Sequence, residues 1–289
     1  MPAPESRTVV VTGATRGAGK GIAVALGATG ATVYVTGRTR DTDTTDAPGS
    51  VQATAREIDA RGGTGIPLVC DHADDEQVRA AFEQVEGERG SVDILVNNAF
   101  TIPGGLTDPG PFWHKPLGLH SMFEVGLRST YVASYYAAPL LVAAGGGLVV
   151  NTSSFGGRCY MHGPAYGAGK AAVDKMAHDM AVDFQPHGVA VIALWMGILK
   201  TERIRAALDS GTVPERYRAI AAVAEDPQFS GRVIDALARD PALMSRTGHV
   251  LIGAEIGAEL GVVDVDGSTP VSHRATLGDP PTFSTAVVD

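Results

Sequence analysis

Tyr166 and Lys170 lie four residues apart, and Ser154 precedes the tyrosine by twelve residues. Residues spaced by four share one face of an α-helix, and the apolar spacing within residues 171–184 predicts a helix there. A lysine ammonium beside a phenol favours the phenolate and lowers the pKa of the tyrosine. A nearby serine hydroxyl could hold a carbonyl oxygen. These groups suit carbonyl reduction or alcohol oxidation; taken alone, the pair also fits a solvated helix face.

A glycine-rich turn follows the first predicted strand. The β-branched run at residues 9–11 predicts a buried parallel strand, and the apolar residues within 22–26 have helical spacing. Glycines between a strand and a helix let the backbone approach a pyrophosphate, which the free N–H groups at the helix N-terminus can bind. A plain tight turn is the alternative. The candidate cofactor contacts here are Gly13, Thr15, Arg16, Gly17 and Gly19.

The end of the second predicted strand, residues 31–36, bears on the choice of cofactor. In dinucleotide-binding folds an acidic residue there bonds the ribose of NAD, and an arginine accommodates the 2′-phosphate of NADP. This chain has Gly37 followed by Arg38, and Arg16 lies in the glycine turn. Both arginines could pair with a phosphate. The sequence therefore favours NADP(H) over NAD(H), unless Arg38 is a solvated loop charge.

Further candidate residues follow the ends of later strands. Asp71 could cap an adenine pocket, or it could simply form a turn. Asn98 and Ala99 follow the fourth strand, where the small alanine leaves room for a cofactor ribose. Thr201 could hold a nicotinamide amide or a phosphate, or it could cap the next helix.

Strands and helices alternate along the chain without a break in composition. This predicts an α/β fold: a single-domain, Rossmann-type doubly wound parallel sheet with flanking helices and its ligand at the carboxyl edge. The single domain spans residues 1–289, with a cofactor half at about 7–150, a catalytic and substrate half at about 151–270, and a tail at 271–289 that is loop or partly disordered. The predicted strands are residues 9–11, 31–36, 65–69, 92–96, 148–152, 189–195 and 250–252.

Composition limits the classes of partner. The net charge of −9 argues against broad binding to nucleic acid or anionic membranes. No basic and apolar leader and no apolar run of spanning length is seen. With two cysteines, no disulfide framework is implied, and a cytoplasmic location is expected. Residues 116–144 predict a mostly helical segment, strongly apolar from 131 to 141, so we expect a homodimer or homotetramer.

Several aromatic residues suggest an apolar substrate pocket. Phe112 and Trp113 lie in a loop rich in glycine and proline, at residues 101–115, and either line the pocket or pack under the loop. The other candidates for this pocket are Phe100, Met161 and Trp195. His162 could touch substrate or have no role, and Cys159 is most simply a spare thiol. A bulky or aromatic carbonyl is the expected substrate, with no metal ion involved.

The motifs as a set resemble the short-chain dehydrogenase/reductase family over about residues 7–253. The matching stretches are Thr12-Gly13-x-x-x-Gly17-x-Gly19, Asn97-Asn98-Ala99, Ser154, Tyr166-x-x-x-Lys170 and Gly197…Thr201. Residues 125–129, 164–172 and 194–198 also resemble the dehydrogenase/reductase member 1-like group within that family. Each motif alone is weak, but the order and spacing of the set are specific.

The resemblance implies a role for each matching residue. Tyr166 would be the general acid or base, and Lys170 would lower its pKa and bind the nicotinamide ribose. Ser153 or Ser154 would orient the substrate carbonyl, and the loop length favours Ser154. The implied cofactor contacts are Gly13, Arg16, Gly17, Gly19, Arg38, Asp71, Asn98, Ile198 and Thr201. The cofactor would carry the hydride chemistry.

Three positions depart from the family pattern. Gly126 stands where the family has an asparagine that holds a relay water, Phe100 replaces a glycine, and Met196 replaces a proline. The first departure motivates a rival reading, an NADP-binding sensor or scaffold with little turnover. Reduction of a carbon–carbon double bond is a second rival, although its enzymes in this family space the tyrosine and lysine more widely. A protein-interaction role is the third.

Overall fold

The computed structural model describes residues 6–43, 48–209 and 223–288. The strands are β1 (Thr8–Val11), β2 (Thr32–Gly37), β3 (Thr64–Val69), β4 (Ile94–Asn97), β5 (Gly147–Ser153), β6 (Val189–Trp195) and β7 (Val250–Ile252). They form one seven-stranded sheet in the order β3-β2-β1-β4-β5-β6-β7, and all neighbouring strands are parallel. The predicted doubly wound parallel sheet is confirmed.

Helices cover both faces of the sheet. Among the described residues they are α1 (Gly17–Gly27), α2 (Val51–Asp59), α3 (Asp75–Arg89), α4 (Ser129–Ala143), α5 (Pro164–Phe184), α6 (Glu202–Asp209), α7 (Pro227–Arg239), α8 (Gly253–Glu259) and α9 (Arg274–Leu277). Side-chain caps fix several starts: Asp74 accepts the N–H groups of Glu76 and Gln77 at α3. A predicted helix at 215–224 falls almost wholly outside the described residues.

The core has two layers because side chains alternate along each strand. Val9 and Val11 of β1 pack on one face with Val96 of β4. Val10 packs on the other face with Leu95. A strand buried on both faces needs a continuous apolar run, which explains the β-branched triplet in the sequence.

The strand order reverses between β1 and β4, so the loops at their carboxyl ends open a crevice. The buried amide of Asn97 donates hydrogen bonds to Asn151 on β5 and to Ser134 on α4, both at 2.9 Å. These bonds tie two strands and a helix together below the crevice. The glycine turn and the Asn98-Ala99 pair follow directly at the rim.

The predicted long helix at 116–144 is interrupted. A wide, π-type turn at Phe123–Arg128 precedes α4, and Val125 and Gly126 within it have non-helical backbone angles. Three hydrogen bonds hold the break: Thr101 N–H to the Val125 carbonyl at 3.0 Å, Gly126 N–H to Ser129 Oγ at 2.9 Å and Thr130 Oγ1 to the Gly126 carbonyl at 2.9 Å. The apolar pattern continues through this point, which is why the sequence does not predict the interruption.

The carboxyl-terminal tail is loop apart from α9, and its described part, residues 271–288, packs on the domain. Leu277 and Phe283 contact the core layer that includes α5. The Phe283 and His178 rings lie 5.0 Å apart, and His178 Nε2 is 3.0 Å from the Ser284 carbonyl. The tail therefore lies over the helix that carries the candidate catalytic residues.

Candidate active site

Ser154 and Tyr166 meet at the carboxyl edge of the sheet. Their hydroxyl oxygens are 2.8 Å apart, and the Gly156 N–H donates to Ser154 Oγ at 3.2 Å. A Cβ at Gly156 would lie 2.4 Å from Tyr166 Cε1, so the absence of a side chain admits the ring. Ser153 is buried and faces the Lys170 carbonyl instead. Of the two serines, Ser154 is the one placed beside the tyrosine.

Lys170 lies one turn after Tyr166 on α5 and is buried. Its ammonium donates to the Thr152 carbonyl at 3.1 Å. It also lies 4.6 Å from the centroid of the Phe100 ring and 6.0 Å from that of the Tyr166 ring. The ammonium is therefore fixed between β5, the loop after β4 and the tyrosine.

Burial dominates the ionisation of this pair. It raises the pKa of Tyr166, an effect that the Ser154 hydrogen bond opposes. It lowers the pKa of Lys170 to about 8, which the Asp174 carboxylate opposes. Desolvation of the phenol sets the net direction of the Tyr166 pKa. That Lys170 lowers this pKa stays a prediction.

Asp174 lies one further turn along α5 and is buried. Both of its carboxylate oxygens accept from Trp195 Nε1, at 3.0 and 3.1 Å. Burial raises its pKa to about 6, while hydrogen bonds from Ser153 and Trp195 oppose the rise. Trp195 is thus a buried partner of this carboxylate, and the prediction that it lines a substrate pocket is not supported.

Phe100 and Gly126, two of the departures from the family pattern, contact each other. A Cβ at Gly126 would lie 2.6 Å from Phe100 Cδ2, and Gly126 has a φ of 148°, which side chains rarely adopt. The Phe100 ring meets the Tyr166 ring edge to face at 5.9 Å. The loop after β4 and the break before α4 therefore fit together beside Tyr166 and Lys170.

The glycine turn is packed tightly against the loop after β4. A Cβ at Gly13 would lie 2.7 Å from Ala99 Cα, and one at Gly19 would lie 2.3 Å from Asn98 Nδ2. The Asn98 amide donates to the carbonyls of Thr12 and Gly13 at 2.9 and 3.1 Å. Asn98 therefore fixes the shape of the turn.

The Gly17 N–H, at the start of α1, donates to the Glu202 carboxylate at 3.0 Å. An anion already bound at this helix N-terminus indicates that the turn suits the pyrophosphate of a dinucleotide. Gly17 and Glu202 also line a cleft of about 260 Å³, whose lining holds both cations, among them Lys20 and Lys200, and the carboxylates of Glu57 and Asp226. The residues present therefore fit a dinucleotide cofactor.

The end of β2 is closed to a larger side chain. A Cβ at Gly37 would lie 2.5 Å from Cγ2 of Thr15, whose side chain is buried there. The Arg16 guanidinium donates to Thr39 Oγ1 at 2.9 Å, and its buried Nε has no partner. The Arg38 side chain is 70% exposed and lies 3.8 Å from Asp71. Both arginines are thus close to the rim at Gly37.

Asp71, Ile198 and Thr201 all lie at the carboxyl edge of the sheet. Asp71 accepts the Ala73 N–H at 3.0 Å, which is a turn contact. Thr201 Oγ1 accepts the Ile204 N–H at 3.4 Å, which caps α6, and its methyl lies 3.7 Å from a Cβ built on Gly17. These contacts leave both the cofactor and the structural interpretation open for Asp71 and Thr201.

The loop after β6 is held by Glu225, which is buried. The backbone of Glu225 bonds Ile198 and Lys200 at 2.8 Å each, and its side chain accepts the Gly197 N–H at 3.2 Å. Burial raises the pKa of Glu225 to about 7, and the Gly197 hydrogen bond opposes the rise. Glu225 therefore fixes the segment that carries Ile198 and Thr201.

The residues predicted to line a substrate pocket do not all lie together in the structure. Phe112 and Trp113 are exposed on a 3₁₀ turn and contact each other at 5.2 Å. The His162 ring lies 5.1 Å from the Tyr166 ring. His162 also has a positive φ of 60°. Burial, together with Lys115, lowers the pKa of His162. Among these candidates His162 lies nearest Tyr166.

Asp174, Glu225 and Glu202 are site residues that the sequence analysis missed. Only Asp174 carries a sequence signal, since it shares a helix face with Tyr166 and Lys170 at intervals of four. Glu225 and Glu202 reach the site through long-range contacts. Among the described residues, no cluster of His, Cys, Asp or Glu could hold a metal ion, and no helix there is long and apolar enough to span a membrane.

The sequence of this chain is similar to a known protein family and to individual proteins within it. The family described as short chain dehydrogenase matches residues 7–210. Dehydrogenase/reductase SDR family member 1 of mouse is 39% identical over 288 residues, covering 96% of this chain and 89% of the mouse protein. The human protein of the same name is also 39% identical, over 96% and 92% of the two chains.

Solved structures agree with the sequence comparison. A short-chain type dehydrogenase/reductase from Mycobacterium marinum superposes with a TM-score of 0.70 at 27% identity. The match covers 85% of this chain and 93% of that one.

Proposed function

Because this chain belongs to the short-chain dehydrogenase/reductase family, whose members are oxidoreductases acting on CH–OH or C=O groups, we propose that it is an NADP(H)-dependent carbonyl reductase. The observation that carries the proposal is the contact between Ser154 Oγ and the Tyr166 hydroxyl at 2.8 Å, with the Lys170 ammonium fixed close by. A phenol, a second hydroxyl and a buried cation form a complete proton-donating site. An NADP-binding sensor or scaffold is the alternative.

In the reductive direction Ser154 donates a hydrogen bond to the substrate carbonyl oxygen and orients it. Tyr166 Oη gives its proton to that oxygen as negative charge develops there. The Lys170 ammonium stabilises the phenolate that remains, and it would bond the nicotinamide ribose. When bound, the cofactor would supply the hydride for the carbonyl carbon.

The residues that would hold the cofactor surround the crevice between β1 and β4. The glycine turn and the start of α1 would take the pyrophosphate, and the loop after β6 the nicotinamide amide. The proposed contacts are Gly13, Thr15, Arg16, Gly17, Gly19, Arg38, Asp71, Asn98, Ala99, Tyr166, Lys170, Ile198 and Thr201.

The rim at Gly37 supports the proposed preference for NADP(H) over NAD(H). Thr15 fills the space that an acidic side chain would need at that position. The exposed Arg38 and the partnerless Nε of Arg16 offer positive charge for a 2′-phosphate instead.

The substrate is proposed to be bulky or apolar. Phe112 and Trp113 present exposed rings on the loop that follows β4, and Leu106, Leu119 and Met122 form an apolar cluster against Phe100 and Tyr166. The three residues of this cluster are buried, so the exposed rings of Phe112 and Trp113 are the apolar groups that a bulky substrate would contact.

A cytoplasmic homo-oligomer is proposed as the form of the enzyme. Tyr131 and Tyr135 expose their rings on the outer face of α4, and Val142 follows at helical spacing. Burying such a face against a second copy would remove apolar area from water. Light scattering of the protein and of Tyr135→Glu tests this: we expect the variant to dissociate, and an unchanged mass would exclude this face as the interface.

The first experiment is oxidation of NADPH and of NADH at 340 nm over a panel of aldehydes, ketones and diketones, with Tyr166→Phe as the matched control. We expect turnover with NADPH, favouring bulky aromatic carbonyls, that disappears in the variant. If NADPH binds and no substrate in the panel turns over, the sensor or scaffold alternative replaces the reductase.

A further inference from the structure

Phe100 lies where three parts of the site meet. It follows β4, the Lys170 ammonium is 4.6 Å from its ring centroid, and the Tyr166 ring meets it edge to face. Its ring also packs with the apolar cluster of Leu106, Leu119 and Met122. One ring therefore contacts both titratable members of the catalytic pair.

The ring has space because residue 126 has no side chain. A Cβ there would lie 2.6 Å from Cδ2 and 2.9 Å from Cε2 of Phe100. The fit is fixed by the backbone: the Thr101 N–H, directly after Phe100, donates to the carbonyl of Val125, directly before Gly126, at 3.0 Å. The two departures from the family pattern are thus in direct contact with each other.

The Lys170 ammonium needs support because it is buried. Its one hydrogen bond among the described residues is to the Thr152 carbonyl, and burial opposes its charge. The titratable groups around the pair are Asp174 on α5 and, beside Tyr166 on the loop after β5, Cys159 and His162. An aromatic face attracts an ammonium most strongly where water is excluded.

We propose that Phe100 is a positioning residue, whose ring face, seated over Gly126, holds the Lys170 ammonium in its charged form beside Tyr166. The catalytic use of that charge rests on the proposed reductase function; the contact itself does not. In this protein an aromatic ring, rather than a polar side chain at 126, supports the lysine.

Two substitutions separate the aromatic face from the bulk of the side chain. Phe100→Tyr keeps the ring, and Phe100→Leu keeps apolar volume without it. In the cofactor-free protein, competitive labelling with acetic anhydride across pH, read by mass spectrometry, gives the titration of Lys170. We expect the Lys170 midpoint to fall by about 0.4 to 1.5 pH units in Phe100→Leu and to stay near the wild-type value in Phe100→Tyr. An unchanged midpoint in the leucine variant overturns the proposal.

The same pair is then compared in turnover, with phenanthrenequinone as the aromatic carbonyl and NADPH as the donor. Since the charged lysine is needed, the alkaline limb of kcat/KM should move to lower pH in Phe100→Leu and remain in place in Phe100→Tyr. A uniform loss of rate with no change in the pH profile would mean that Phe100 only fills space.

The fit to Gly126 is tested with Gly126→Ala alone and combined with Phe100→Leu. The added methyl displaces the ring, so Gly126→Ala should lower the Lys170 midpoint as Phe100→Leu does, and the double variant should be no worse than the leucine variant. Shifts that simply add would overturn the coupling. If the wild type turns over no carbonyl, the reductase proposal fails, and the labelling result still decides the role of Phe100.

Discussion

The carboxylate of Asp174 serves two neighbours on the buried side of α5. It accepts from Trp195 Nε1 and opposes the loss of charge on Lys170. Because its pKa is raised to about 6, its ionisation falls near neutral pH. A change in the charge of Asp174 should therefore alter both the surroundings of the Trp195 indole and the pKa of Lys170.

We expect Asp174→Asn to lower the pKa of Lys170 below about 8, because the opposing negative charge is lost. The alkaline limb of kcat/KM should then move to lower pH. In a Trp113→Phe background, where Trp195 is the one remaining tryptophan, its emission should titrate with a midpoint near 6. If the emission of Trp195 still changes with pH in Asp174→Asn, the titrating group is not Asp174.

Arg38→Ala should reduce the preference for NADPH over NADH. A charge-assisted hydrogen bond to a phosphate contributes about 1.5–3 kcal/mol, so affinity for NADPH should fall by roughly 10- to 100-fold while NADH is little affected. Fluorescence titration of both cofactors measures this, with Arg40→Ala on the same exposed loop as the control. Equal losses for both cofactors would argue against a 2′-phosphate contact.

At the scale of single residues, motif spacing predicted that Ser154, Tyr166 and Lys170 share one site, and the fold brings the three side chains close together. Spacing carries this information because a helix brings residues four apart onto one face and parallel strands deliver their ends to one edge. The environment of these residues was not predictable, since the pKa of Tyr166 depends on burial by residues distant in sequence.

Among the elements, the loop after β6 depends on one buried carboxylate. The pKa of Glu225 rises to about 7 from an ordinary value of 4.5, so the folded protein holds this proton more tightly than the unfolded chain. The stability that Glu225 contributes is therefore present at pH below 4.5 and is lost as pH rises through 7. Above that range, the fold carries a buried charge beside the Asp264 carboxylate.

Glu225→Gln keeps the shape of the side chain without the charge. At pH 8 we expect its unfolding free energy to exceed that of the wild type by up to about 3 kcal/mol, and the difference should shrink towards zero at pH 5. Urea unfolding followed by circular dichroism at both pH values measures this. The exposed Glu86→Gln is the control, and a gain that does not depend on pH would contradict the assignment.

The strands were predictable as elements, and the break before α4 was not. Most strands are short, buried, mainly apolar runs bounded by turn residues, a local signal, whereas the edge strand β3 is mostly exposed or half-buried. The break at Val125 and Gly126 is packed against the ring of Phe100, more than twenty residues earlier in the chain. The apolar pattern of residues 116–144 continues through the break without a change. A glycine in an apolar segment gives no indication of which contact requires it.

On the scale of the whole molecule, the carboxyl-terminal tail adds apolar side chains to one layer of the core. The sequence of residues 271–289, with its prolines and polar residues, predicts loop. Composition does not predict that the tail contacts α5, because the contact depends on only two apolar side chains, Leu277 and Phe283, which pack against a helix distant in sequence. The tail covers the side of α5 that carries His178 and Lys175.

Phe283→Ala should lower the unfolding free energy by about 1–3 kcal/mol, less than a fully buried phenylalanine would cost, because the ring is only partly buried. Thermal unfolding measures the loss. Val288→Ala, a side chain that is 93% exposed five residues later, should change little. If both variants unfold like the wild type, the tail does not contribute to the stability of the domain.

The close fit of Phe100 over Gly126 also bears on the order in which these two residues could have been substituted during evolution. A phenylalanine at 100 facing any residue with a Cβ at 126 would place atoms 2.6 Å apart. If the ring keeps its present position, a lineage that changed one residue at a time avoids this clash only by reaching glycine at 126 before phenylalanine at 100. Ancestral reconstruction along the branch should recover that order, and the reverse intermediate should be rare among descendants.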